Sequence, residues 1–258
     1  VVSRPLIVIV GPTASGKTTL AIELARRLDG EIICADSRTV YKGMDIGTAK
    51  PTEEEQLFVP HHLLDVVDPG ERFTVADFKR LANEAIIDII GRGKVPIMVG
   101  GSGLYIDAVL FDYKFAPVGT PRDNQNPRHL SKSILVSKEK LRRNTLIVGI
   151  CVSREILMQR IISRVNQMID NGLCNEVSKL RAEYPYSKAL DAPGYRAIAE
   201  YLEGKLSIND ARDLFVKNDL RLAKKQMTWF KRNKSIQWIT NREAAVELIT
   251  TFLNKISN

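Results

Sequence analysis

The stretch Gly11-Pro12-Thr13-Ala14-Ser15-Gly16-Lys17-Thr18 constrains this chain more than any other. It follows a continuous apolar run, Leu6–Val10, and opens a segment, Thr18–Leu28, in which Leu20, Leu24 and Leu28 recur at helical spacing. A strand, a glycine-rich turn and a helix in that order make a loop whose backbone N–H groups converge at a helix N-terminus and cradle phosphate oxygens. Lys17 adds charge, and the Thr18 hydroxyl can reach a Mg²⁺ bound to those oxygens. The expected phosphate-binding residues are Gly11, Thr13, Ala14, Ser15, Gly16, Lys17 and Thr18, with Thr18 as the metal ligand.

The rest of the chain repeats the same rhythm. Glu31–Ala35, Val95–Val99 and Leu146–Val152 read as further buried strands, and Val75–Ile90 as a helix with Phe78, Leu81, Ala82, Ala85, Ile86 and Ile89 on its apolar face. Continuous apolar strands alternating with amphipathic helices predict a parallel sheet covered on both faces. From Arg154 the pattern turns mostly helical. Arg154–Asp170 and Leu173–Ala182 come first, and Ser207 with Asp210 makes a capping-box-like start for a long helix to about Phe230. A short strand, Ile236–Ile239, and a helix over Arg242–Ile256 follow. The stretch 116–144, rich in Pro, Asn, Arg and Lys, interrupts the rhythm and reads as an inserted element with a short helix around Pro127–Val136. The expected class is α/β: a P-loop NTPase-like core over 1–115 and 145–258, with a mostly helical C-terminal part and a short insert over 116–144.

Composition excludes some classes. No apolar run approaches the ~18–20 residues that span a bilayer, and the N-terminal run leads straight into the glycine-rich loop, unlike a signal peptide. Three cysteines without C-x-x-C spacing and three histidines without metal-ligand spacing argue against a disulfide framework or a zinc site and suit a cytoplasmic setting. A net charge of +8 favours a polyanionic partner.

The loop alone leaves its ligand open. ATP-hydrolysing P-loop proteins hold Mg²⁺ with an acid ending a buried strand. Here Val95–Val99 runs into Gly100-Gly101-Ser102-Gly103 and the next strand ends at Val152-Ser153, neither with a carboxylate. Asp36, after the second strand, is placed to take a proton from a nucleophile. Two chemistries fit: a small-molecule kinase activating a hydroxyl, and a transferase activating an amine against a diphosphate-bearing carbon.

Several blocks together resemble the tRNA dimethylallyltransferases, also called tRNA isopentenyltransferases. They are GPTASGKT (Gly11–Thr18), ADSRTVY (Ala35–Tyr41), GMDIGTAKP (Gly43–Pro51), PHHLLD (Pro60–Asp65), GGSGLY (Gly100–Tyr105), GYR (Gly194–Arg196) and KKQMTW (Lys224–Trp229). The resemblance implies that the P-loop holds the diphosphate of dimethylallyl diphosphate rather than ATP. It implies that Lys17 with Mg²⁺ neutralises the leaving group, and that Asp36 accepts a proton from an adenine N6. Ser102 stands where the family usually has threonine and would contact substrate. Arg160 and Arg164, one helical turn apart, lie where the family places a diphosphate-binding arginine, with Arg164 favoured.

The same resemblance implies tRNA contacts by Asp36, Ser37, Arg38, Thr39 and Ser102, and by Gly194, Tyr195 and Arg196. Lys224 and Lys225 belong to a basic stretch, Lys217–Lys234, with seven Lys/Arg against one acid. Trp229 and Phe230, interleaved with it, read as core anchors. In the insert, Arg128, His129 and Lys132 echo a basic family segment in which arginines are commoner, and the insert is shorter than in bacterial relatives. The chain is expected to act as a monomer on tRNA. An adenylate-type isopentenyltransferase using free nucleotide is the nearest alternative, and an RNA-binding module with a vestigial P-loop the most distant.

Overall fold

The computed structural model describes residues 5–115, 134–136 and 140–257. Its centre is a six-stranded sheet, parallel throughout. In chain order the strands are β1 (Leu6–Val10), β2 (Gly30–Cys34), β3 (His61–His62), β4 (Val95–Gly100), β7 (Thr145–Ile150) and β8 (Ile236–Ile239). Their order across the sheet is β3-β2-β4-β1-β7-β8. A separate antiparallel pair joins β5 (Lys114–Phe115) to β6 (Ile134–Val136).

Alternation along β1 shows why both faces must be covered. Leu6, Val8 and Val10 pack with Phe78, Ile86 and Ile89 of α3 (Val75–Gly91) and Ile106 and Val109 of α4 (Gly103–Leu110). Ile7 and Ile9 point the other way, onto Leu20 and Leu24 of α1 (Lys17–Leu28) and Ile249 of α9 (Arg242–Ser257). All five β1 residues are fully buried, which is what a strand sandwiched between helix layers requires. A third apolar cluster belongs to the helical part: α5 (Arg154–Asp170), α6 (Leu173–Glu183), α7 (Pro193–Leu202) and α8 (Ile208–Phe230).

Local signals place the helix ends. Thr74 and Asp77 form a reciprocal capping box on α3, and Ser153 and Ser207 cap α5 and α8 through their hydroxyls. A short helix, α2 (Glu53–Phe58), carries a second capping box from Thr52 and Glu55. The expected helix around Pro127–Val136 is corrected at its C-terminal end, where Ile134–Val136 is a strand paired with Lys114–Phe115. The remainder of that helix, with Arg128, His129 and Lys132, lies outside the described residues. The strand after the second turn begins and ends one residue earlier than Glu31–Ala35, because Gly30 already pairs with Val95. No described helix is long and apolar enough to cross a membrane.

Candidate active site

Every strand of a parallel sheet presents its C-terminal end on the same side, and loops there gather into one crevice. The loops after β1, β4 and β2 line a cavity of about 1330 Å³ together with residues of α5, α7 and α8. β4 lies between β1 and β2, so the P-loop and Asp36 stand about two strand spacings apart, ~10 Å. That gap leaves room for a substrate across the Gly101-Ser102 turn.

The P-loop is built for an anion. Ala14 (φ 59°) and Gly16 (φ 91°) adopt left-handed backbone conformations, which turn successive N–H groups inward. Gly16 is also the N-cap of α1, and the N–H groups of the first helical turn have no intrahelical acceptor. Lys17 is half-buried, and its ammonium donates to the Pro12 carbonyl at 2.7 Å. Burial pulls its pKa down to about 8; Asp36 opposes that shift and Arg164 adds to it. Thr18 lines the cavity one residue on. The Thr13 N–H, by contrast, is donated to Gln226 at 2.7 Å, so Thr13 meets the cavity with its side chain and not its amide.

On the opposite side, Asp36 is half-buried, and its carboxylate accepts the Arg38 N–H at 2.8 Å. The Ser102 hydroxyl accepts the Ser37 N–H at 3.0 Å, tying the β4 turn to the loop after β2. Arg38 donates to the Ala189 carbonyl at 2.9 Å, which anchors that loop on the helical part. Thr39 is buried.

Arg160 and Arg164 of α5 both line the cavity, in different states. Arg160 donates to the Ser15 carbonyl of the P-loop at 3.3 Å, while Arg164 is paired with the buried Asp219 of α8 at 2.5 Å. Burial pushes the Asp219 carboxyl up, and the Arg164 guanidinium opposes that shift. The two arginines therefore reach the cradle from one helix, Arg160 by direct contact and Arg164 through its field on Lys17.

The segment Pro193–Arg196, expected to contact tRNA, is the first turn of α7 with Pro193 at its start. Tyr195 is buried, 1% exposed, and its hydroxyl donates to Glu176 at 2.6 Å. Its ring is thus part of the core and reaches no external partner. Gly194 is buried against the Phe215 ring and lines the cavity, and Arg196 is exposed. Lys224 and Lys225 are exposed on α8, outside the cavity lining. Phe230 is buried, and the Trp229 indole donates to Asp107 at 2.8 Å with Arg232 stacked over its ring at 4.0 Å.

Two residues that hold this site together are not among the expected site residues, although one of them lies in the KKQMTW block. Glu176 of α6 accepts the N–H groups of Asp45, Ile46 and Gly47 at 3.0, 2.7 and 3.0 Å, and so pins the loop that borders the cavity. Gln226 is the other. Neither is a titratable pair, a metal pattern or a motif glycine, and only the fold brings them to the site.

One feature of the interior separates a binding site from an ordinary cleft. Among the described residues, the buried side-chain polar atoms without a hydrogen-bond partner are Ser15 Oγ, Thr39 Oγ1, His61 Nε2 and Arg164 Nε. All four residues line this cavity. Unsatisfied buried polar groups are costly and rare in folded proteins, and their concentration at one place marks a site that its ligand completes.

Comparison with known proteins agrees with that geometry. The family described as IPP transferase matches residues 39–140 and 122–233, and that described as isopentenyl transferase matches residues 5–64. The tRNA dimethylallyltransferase of Staphylococcus haemolyticus is 35% identical over 313 aligned positions, covering 100% of this chain and 94% of the relative. The chain belongs to the tRNA dimethylallyltransferase family. Another tRNA dimethylallyltransferase, from Desulforudis audaxviator, is 39% identical and is matched over 94% of each chain. The crystal structure of the tRNA isopentenylpyrophosphate transferase of Bacillus halodurans superposes with a TM-score of 0.85 at 33% identity, covering 98% of both chains. A eukaryotic dimethylallyltransferase described as acting on tRNA shares the fold, with a TM-score of 0.78 at 23% identity. The alignment to the staphylococcal relative is longer than the 258-residue chain, so members of the family carry residues that this chain lacks. The IPP transferase match is itself in two pieces that overlap within 122–140, inside the expected insert.

Proposed function

We propose that this chain transfers a dimethylallyl group from dimethylallyl diphosphate to N6 of the adenosine on the 3′ side of the anticodon in tRNA, releasing diphosphate. The observation that carries this reading is the pairing, across one cavity, of a phosphate cradle with Asp36. No described strand end beside the cradle carries an acid for nucleotide hydrolysis: β4 runs into Gly101-Ser102 and β7 into Cys151-Val152. Relatives at 35–39% identity are named for this reaction, which favours it over a small-molecule kinase or a transferase using free nucleotide.

In the proposed reaction the N6 lone pair forms a bond to the allylic carbon while the carbon–oxygen bond to diphosphate breaks. N6 is a weak nucleophile, because its lone pair is delocalised into the purine, and it becomes cationic as the bond forms. The Asp36 carboxylate takes the proton that N6 must lose. On the far side Lys17, Arg160 and the amides of the loop stabilise charge growing on the departing diphosphate. Arg164 contributes there through its field, held by Asp219. Ser102 keeps the backbone after Asp36 in place through Ser37. An adenine in an anticodon loop must leave the stack to reach this depth, and the exposed Lys224 and Lys225 beside the site suit the RNA backbone.

The donor set fits Mg²⁺. Mg²⁺ is commonly held by one or two protein oxygens with substrate phosphates and water, and Thr18 lines the cavity at the cradle. The Thr18 hydroxyl would supply one such oxygen. The ion, when bound, adds charge neutralisation for the leaving group.

The reaction is tested by incubating the purified chain and Mg²⁺ with radiolabelled dimethylallyl diphosphate and either tRNA or AMP. Label in tRNA is expected. Label in AMP alone would replace the acceptor, and ATP turnover on a small alcohol with no label in either would overturn the reading in favour of a kinase.

A further inference from the structure

Gln226 occupies the seam between the two sides of the cavity. Its Oε1 accepts the Thr13 N–H of the P-loop at 2.7 Å, and its Nε2 donates to the Gly101 carbonyl after β4 at 3.2 Å. The amide has one orientation, because a backbone N–H only donates and a carbonyl only accepts. Gly101 leaves the space it needs: a Cβ there would stand 2.2 Å from Nε2. The line continues beyond Gly101. Ser102 follows, its hydroxyl accepts the Ser37 N–H at 3.0 Å, and Ser37 is bonded to Asp36. One side-chain amide thus joins the leaving-group cradle to the proton acceptor's loop.

We propose that Gln226 is a positioning residue for the transfer, holding the diphosphate cradle and the Asp36 loop at a fixed separation; this rests on the prenyl-transfer reading above. The need for such a brace follows from the topology. β1 and β2 each pair with β4 and not with each other, so the sheet sets the coarse spacing of the loops that follow them, and side-chain contacts such as those of Gln226 fix it more finely. A displacement at carbon requires the incoming nitrogen, the carbon and the departing oxygen to be aligned, and a misplacement of ~1 Å costs up to ~10²-fold in rate. Gln226 extends from α8, the helix whose exposed face carries Lys224 and Lys225. The brace is therefore anchored on an element of the helical part rather than on either loop that it joins.

Two variants separate positioning from mere packing. Gln226→Met keeps the length of the side chain and loses both hydrogen bonds. Gln226→Glu accepts from Thr13 when ionised but cannot donate to Gly101; when protonated, its carboxyl group rebuilds both bonds. Steady-state transfer to tRNA is measured for each from pH 8 to pH 5.5, alongside wild type. For Gln226→Met we expect kcat about 10–100-fold below wild type, with KM for tRNA and for dimethylallyl diphosphate within about threefold. The Gln226→Glu rate relative to wild type should climb as pH falls, by about 1.5-fold to sevenfold for an ionised form 10–100-fold below wild type, while the Gln226→Met ratio stays level. A Gln226→Met kcat within threefold of wild type, or a Gln226→Glu ratio that does not change with pH, overturns the proposal. If Gln226→Met does not fold, the Gln226→Glu profile alone decides. Failure of the wild-type chain to label tRNA would instead refute the reaction itself, and this role with it.

Discussion

In the proposed reaction, Lys17 should make diphosphate binding pH-dependent in a range where an ordinary lysine would not. Burial brings its pKa down to about 8, against 10.5 for a solvated lysine, even with Asp36 nearby. A bound diphosphate favours the ammonium, so binding above pH 8 must take up a proton. If only charged Lys17 binds well, affinity falls ~tenfold between pH 7 and pH 9, whereas a lysine titrating at 10.5 would give almost no change. The last ionisation of the ligand's diphosphate is complete by the middle of this range and adds little to the slope. Calorimetric titration with dimethylallyl diphosphate, without RNA and at constant excess Mg²⁺, measures the affinity. Repeating it in buffers of different ionisation enthalpy counts the protons, with uptake expected to rise from about half a proton at pH 8 towards one at pH 9. Lys17→Met should bind weakly and with no pH dependence over this interval. A level wild-type affinity from pH 7 to 9, or a slope that survives in Lys17→Met, would refute the argument. The sign for folding is separate. Between about pH 8 and 10.5 the unfolded chain holds the Lys17 proton and the folded chain does not, so this residue makes stability rise with pH across that window.

Asp36→Ala should lower kcat for transfer ~10²–10⁴-fold while leaving the dissociation constant for tRNA nearly unchanged; a loss under tenfold would remove Asp36 from its role as proton acceptor. Glu176→Ala strips the acceptor from three backbone N–H groups and the Tyr195 hydroxyl. A cost of about 3–4 kcal/mol corresponds to a melting temperature lower by about 10 °C, and a calorimetric shift below 3 °C would contradict it. Glu31, buried at the far end of β2, is held down to about 2 by its hydrogen bonds with Arg92, which outweigh its burial, and by His62. Its contribution, about 2–3 kcal/mol, is present above the unfolded carboxyl's pKa of about 4.5 and lost as pH falls from there towards 2. Chemical denaturation of Glu31→Gln at pH 7 and pH 3 should therefore show a penalty at pH 7 that shrinks at pH 3.

Much of this architecture was legible because each long element obeys one rule. Leu6–Val10, Arg154–Asp170 and Ile236–Ile239 fall where apolar runs and helical spacing place them. The P-loop was legible for the same reason, since its chemistry is local: eight consecutive residues make the cradle. Short elements such as α2 and β3 escaped a reading by periodicity, because six or two residues hold less than two full periods of any pattern. The α7 helix was masked differently: a Pro-Gly pair is a general turn signal, yet Pro is tolerated in a first helical turn, and Gly194 sits where the Phe215 ring leaves no room for a Cβ. The long-range contacts define the remaining boundary. The residues expected at the cavity come from short motifs, whereas those that hold their loops there belong to other elements. Gln226 bonds Thr13 across 213 positions, and Glu176 bonds Ile46 across 130. Neither has a sequence neighbour that betrays its partner. A motif supplies the candidate reacting groups; the side chains that tie their loops together, Gln226 among them, acquire that place only once the sheet order β2-β4-β1 has set the two loops on either side of a gap.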